Sequence, residues 1–236
     1  MIQVSQLSTI EGRKAALEAF VVDWYGGRLA APEKIPGCPE VLGWWAGLLS
    51  ANPRLVGEQN MFCAPELHVP DPFILYGDPP RRQDPPSPLW VFWSENQGVV
   101  TLFCESDGAD PAVWSRCDYP PGPTQSFVRE REPLSGQLVR WTLMEALYSA
   151  PVGGVWASLD RAAFDEVMAR SDLARLPLEP TGAPSDSLVF YAGKELIAAS
   201  APGEWPGEVA FILGARTDSA VGDVLDGLED PSALGL

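Results

Sequence analysis

The chain has a single histidine, His68, among 236 residues. Catalytic zinc sites and imidazole pairs draw on more than one histidine, so that count excludes most of them. No apolar run approaches the ~18 residues that a membrane-spanning helix needs, and the expectation is a chain that does not cross a membrane. Cations are scarce as well, with 16 Lys and Arg against 32 Asp and Glu and a net charge of −16. A phosphate backbone would meet a surface of its own sign, which excludes nucleic acid as a partner. The cysteines, Cys38, Cys63, Cys104 and Cys117, include no Cys-x-x-Cys pair, and no signal-peptide pattern follows Met1-Ile2-Gln3-Val4. Reduced, partly buried thiols in a cytoplasmic protein are expected, with a redox or metal role as the alternative. Glycine-rich phosphate cradles, Gly-x-Ser-x-Gly, His-Glu-x-x-His and calcium loops are all missing, so neither a cofactor nor a metal is expected.

What remains is ample for a folded core, since 46% of positions are hydrophobic and 20% charged. Leu17, Phe20, Val21 and Trp24 recur at helical spacing and stop at Gly26-Gly27. Val41, Trp44, Trp45 and Leu48 repeat the spacing up to Asn52-Pro53, where the residue before proline leaves the helical region. Both aromatic faces read as core. Gly77 to Pro88 is too rich in proline for a ladder or a helix and reads as an exposed loop.

Leu89–Trp93 and Val99–Phe103 are aromatic and β-branched runs joined through Glu95-Asn96-Gln97-Gly98, the pattern of a hairpin. Their apolar residues hardly alternate with polar ones, which predicts strands covered on both faces. Ala112-Val113-Trp114 predicts a further strand. Val139, Leu143, Ala146 and Leu147 predict a long helix, with Ser135 as its cap and Pro151 as its end, packed on the sheet. A short helix is expected from Ser158 to about Arg170. Beyond a proline-rich link come a small hairpin at Leu188–Ala199, a strand at Val209–Leu213 and a last helix through Val221, Val224, Leu225 and Leu228. The order predicts an α+β fold with a mainly antiparallel sheet flanked by helices, in one composite domain over 1–236. Its C-terminal hairpin and helix form an extension over about 185–230.

Three places in the sequence carry candidate chemistry. His68 follows Glu66-Leu67, where an imidazole oriented by a carboxylate acts as a general base; a structural or surface histidine is the other reading. Cys63 or Cys104 with His68 would make a thiol nucleophile, although nothing in the spacing brings them together. The turn at Glu95, Asn96 and Gln97 is either a hydrogen-bonded turn that fixes register, or an exposed polar tip that binds protein beside Trp114.

At these residues the chain resembles the SUKH superfamily, whose bacterial members are mostly immunity proteins of polymorphic toxin systems. Phe92-Trp93-Ser94-Glu95-Asn96-Gln97-Gly98 is similar to that family's Phe-x-x-Glu-Asn-Gln-Gly hairpin. Asp110-Pro111-Ala112-Val113-Trp114 is similar to its Asp-Pro-Pro-Val-Trp, with Ala112 in place of a proline. Ile35-Pro36, Val41–Trp45, Glu58-Gln59-Asn60 and Leu143–Leu147 extend the resemblance over about 35–150. It implies an α+β, SUKH-like (Smi/Knr-like) fold without catalysis or cofactor, and a surface that grips a cognate toxin protein. Glu95, Asn96, Gln97 and Trp114 are the candidate protein-binding residues. The acidic charge would suit a basic toxin, such as one that cuts nucleic acid. The other reading within the superfamily is a regulatory or scaffold adaptor without a toxin partner, and an enzyme built on Cys63, Glu66 and His68 is the third.

Overall fold

A computed structural model describes residues 2, 6–55, 62–68, 88–95, 100–117, 127–179 and 187–225. The fold is α+β, with antiparallel pairing throughout two five-stranded sheets. The chain divides into two compact units, one made of Met1–Gly26, Leu138–Pro180 and Pro184–Leu236, the other of Gly27–Gln137 and Thr181–Ala183.

The Gly27–Gln137 unit opens with an extended segment and helix α2 (Glu40–Ala51). Every residue from Val41 to Leu49 is buried, so burial extends right round the helix beyond the aromatic face expected as core, and α2 stops at Asn52 before Pro53. The extended segment comes so close that a Cβ on Gly43 would lie 2.5 Å from the Glu33 carbonyl oxygen, and one on Gly47 would strike that of Ala31. Asn52, itself buried, donates to the carbonyls of Arg28 and Leu48 at 2.8 Å each and accepts from the Arg28 N–H at 2.7 Å.

Strands β1 (Phe62–His68), β2 (Leu89–Ser94), β3 (Val100–Glu105), β4 (Val113–Cys117) and β5 (Phe127–Arg129) follow as a meander in chain order. β2 and β3 pair as expected, from Leu89↔Glu105 to Ser94↔Thr101, with four of the six residues buried on each strand and the rest half-buried. β1 and β5 were not expected: Pro65 and Glu66 interrupt the apolar pattern of the first, and the second is only three residues long. Residues 77–87 of the expected loop, and Glu58, Gln59, Asn60, Asn96, Gln97 and Gly98 of the resemblance, lie outside the described residues.

The other unit contains α1 (Ile10–Tyr25), capped by the Thr9 hydroxyl and closed by Gly26 at φ 62°. Its sheet runs β6 (Val152–Asp160), β10 (Glu208–Ala215), β9 (Leu196–Pro202), β8 (Val189–Ala192), β7 (Ala174–Arg175). The strand β6 corrects the expectation of a helix from Ser158. The helix α4 is shorter, Arg161–Arg170, and its cap is Asp160, whose carboxylate accepts from the Ala163 N–H at 2.8 Å. α4 and α5 (Asp218–Leu225) cover one sheet face, with Phe164, Val167, Val221 and Val224 packed on Phe211, Leu213 and Ala198.

The division between the units falls within α3 (Leu134–Tyr148), after Gln137. Downstream of that point α3 packs on the β6–β10 sheet. Leu147 lies 3.3 Å from where a Cβ on Gly214 would sit, and the buried Arg140 guanidinium stands 5.3 Å from the Phe190 ring centre.

Candidate functional site

The turn that the sequence marks as a candidate site begins where β2 ends, and the Glu95 N–H donates to the Val100 carbonyl at 2.9 Å. Glu95 is half-buried; Asn96 and Gln97 lie outside the described residues. Trp114 is not beside this turn as an exposed ring. It is 6% exposed and packs with Leu89, Phe103 and Phe127, and its indole N–H donates to Glu105 at 3.0 Å. The reason is register: Trp114 pairs with Phe103 in the middle of the meander, so its side chain stands on a covered face.

The Asp110-Pro111-Ala112 segment also serves the fold. Asp110 accepts from the Ser135 N–H at 2.8 Å and from the Ser135 hydroxyl at 2.6 Å, and the Pro111 carbonyl accepts from the Leu134 N–H at 2.9 Å. Ser135 is thus a donor inside the first turn rather than the cap, and the acceptor comes from 25 residues upstream. An open depression of about 350 Å³ adjoins it, lined by Asp110, Arg129, Glu130, Arg131 and Glu132. Both charge signs meet there.

The thiol and imidazole candidates are held apart. Cys63 and His68 sit on the same strand, five positions apart, which corresponds to roughly 16 Å of strand. His68 lies against Phe103, 4.9 Å between ring centres, so Cys104, the next residue on regular β3, points to the opposite face. Burial pushes the Cys63 and Cys38 thiols up to about 11 and Cys104 well above its ordinary value. A thiolate at neutral pH is disfavoured at all three. No group of three metal-ligating side chains occurs among the described residues, and no described helix is long and apolar enough to cross a membrane.

Large exposed apolar side chains occur at several separate places, among them the β6 strand and the turn after β9. Val155 and Trp156 on β6 are 54% and 36% exposed, and the Trp156 indole donates to the Tyr148 hydroxyl at 3.3 Å. Trp205, on the turn joining β9 to β10, is 69% exposed. The signal available in the sequence was the charge-free run Val152–Leu159, hidden by its double glycine.

The fold and these surfaces define an α+β protein with two antiparallel sheets and exposed aromatic groups. No family model, no curated protein and no solved structure matches the chain.

Proposed function

We propose that this chain is a non-catalytic immunity protein that binds a cognate toxin and neutralises it by covering its active cleft. The observation that carries the reading is the exposure of Val155, Trp156 and Trp205 on a chain of net charge −16. Uncovered aromatic groups are the usual anchors of protein interfaces, and an acidic surface steers a basic partner into contact. The resemblance of the Phe92–Gly98 and Asp110–Trp114 segments to immunity proteins supports the same reading. The buried Trp114 and the Asp110–Ser135 contact tie the Asp110–Trp114 segment to the fold, and the exposed Val155, Trp156 and Trp205 are the surfaces offered to a partner.

The test uses purified protein and the toxic domain encoded by the adjacent gene. A stoichiometric complex, loss of the toxic activity and an association rate that falls at least tenfold between 0.05 and 0.5 M salt are expected, on the order of what electrostatic steering gives. A mixture that stays unbound, with full toxic activity, would overturn the proposal.

A further inference from the structure

β6 is the terminal strand of its sheet. β10 pairs along one side of it, and among the described residues no strand pairs along the other. An edge of this kind leaves alternate backbone N–H and C=O groups pointing outward, ready to accept another strand. Proteins guard such edges with lysine, proline, or short length. Val152 to Leu159 carries no charge and no proline, and β6 has nine residues.

Gly153 and Gly154, at φ 86° and 84°, fall in the strand's one irregularity, the register shift between Gly153↔Gly214 and Trp156↔Ile212. From Trp156↔Ile212 to Glu208↔Asp160 the register is unbroken. Leu159 and Ala157 turn toward the core under α4, and Trp156 turns to the other face, toward Tyr148. Val155, within the register shift, is 54% exposed, so this edge carries two uncovered apolar side chains that an added strand would cover.

The C-terminal end of the edge is acidic. Asp160 pairs with Glu208, and Glu204 lies on the adjoining turn with Trp205. The nearest cation in sequence, Arg161, is turned to Asp165 at 3.1 Å. We propose that β6 is a docking edge for an extended segment of a partner protein, with alternating apolar residues along the strand and Lys or Arg facing Asp160, Glu204 and Glu208. A second copy of this chain fits less well, because β6 has no cation to bring to that end and each copy adds a charge of −16. The inference rests on the protein-binding reading above for the source of the segment, and not on the partner being a toxin.

The experiment titrates the full chain with three synthetic ten-residue peptides. One alternates valine and threonine and ends in two lysines; the second ends in two glutamates; the third keeps the lysines and has a central proline. The first should bind at least tenfold more tightly than the others and slow hydrogen exchange at alternate β6 amides at least tenfold. Val155→Lys and Ser158→Lys, both at exposed positions, should each weaken it about tenfold with unchanged circular dichroism. Equal binding of the three peptides, protection at β1, β5 or β7 instead, or β6 protection that rises with protein concentration alone would overturn the proposal, the last by showing a second copy on the edge. A toxin complex that forms without β6 protection would sink this inference and leave the immunity reading standing. Peptide capture at β6 without any toxin complex would do the reverse.

Discussion

Asp110 and Ser135 are joined twice, N–H to one carboxylate oxygen at 2.8 Å and hydroxyl to the other at 2.6 Å. The contact ties the turn before β4 to the first turn of α3, whose N–H groups have no partner within the helix itself. Asp110→Ala removes both acceptors and should lower stability by about 2 kcal/mol, the upper range for a capping acidic residue. Asp110→Asn retains one acceptor and should lose about half as much. Urea denaturation followed by far-ultraviolet circular dichroism measures both, and an unchanged midpoint for Asp110→Ala would show that the contact does not hold α3.

Helix α2 tolerates its two glycines because the chain at Ala31–Glu33 needs the space. Alanine is the better helix former by about 1 kcal/mol, so on propensity alone Gly47→Ala should stabilise. Packing reverses the sign: the added methyl strikes the Ala31 carbonyl, a backbone atom, and a net loss of roughly 1–2 kcal/mol is expected. Asn52→Ala leaves the Arg28 N–H and two carbonyls without their side-chain partners and should cost about 2–3 kcal/mol. Thermal melts of the two variants decide it; a raised melting temperature for Gly47→Ala would refute the close approach.

Arg140 spends its charge inside the protein. Its two terminal nitrogens donate to the carbonyls of Glu179 at 2.8 Å and Leu188 at 3.0 Å, and its guanidinium lies over Phe190. Arg140→Ala is expected to cost about 3 kcal/mol and Arg140→Lys somewhat less, because a lysine has no planar fork to reach both oxygens. The checking measurement is a chemical denaturation series, in which equal midpoints for wild type and Arg140→Ala would contradict the assignment.

Burial raises the Cys63 thiol to about 11. Above the ordinary thiol value near 9 the unfolded chain gives up this proton while the folded chain keeps it. The contribution is therefore intact below pH 9, and stability falls as pH rises from 9 through 11. Cys38, also near 11, acts in the same direction. Alkylation of native protein at pH 7.5 should run at least tenfold slower than that of a free thiol and keep rising past pH 10, followed by mass spectrometry. Rapid labelling of Cys63 that levels off below pH 8 would reveal an activated thiol and revive the enzyme reading.

The readable parts of the fold were those whose signal is local. The spacing of Leu17, Phe20, Val21 and Trp24, and that of Val41, Trp44, Trp45 and Leu48, falls on helices α1 and α2, and the Leu89–Phe103 runs fall on the β2–β3 hairpin. β6 escaped because Pro151, Gly153 and Gly154 look like punctuation, and because Ser158 competes with Asp160 as the helix cap. Trp114 shows the limit for sites. Its place on a strand was legible, whereas its burial depends on pairing with Phe103 and on Phe127, partners that only the folded meander brings to it. The Asp110–Ser135 contact was not legible for the same reason, since the two residues stand 25 positions apart.

The central claim is protection against a toxin through protein binding, and cells report on it directly. Bacteria expressing a candidate toxic domain from an open reading frame beside this gene should die, and co-expression of this chain should restore growth and yield a stoichiometric complex. Death despite abundant folded protein, with no complex recovered, would contradict the account.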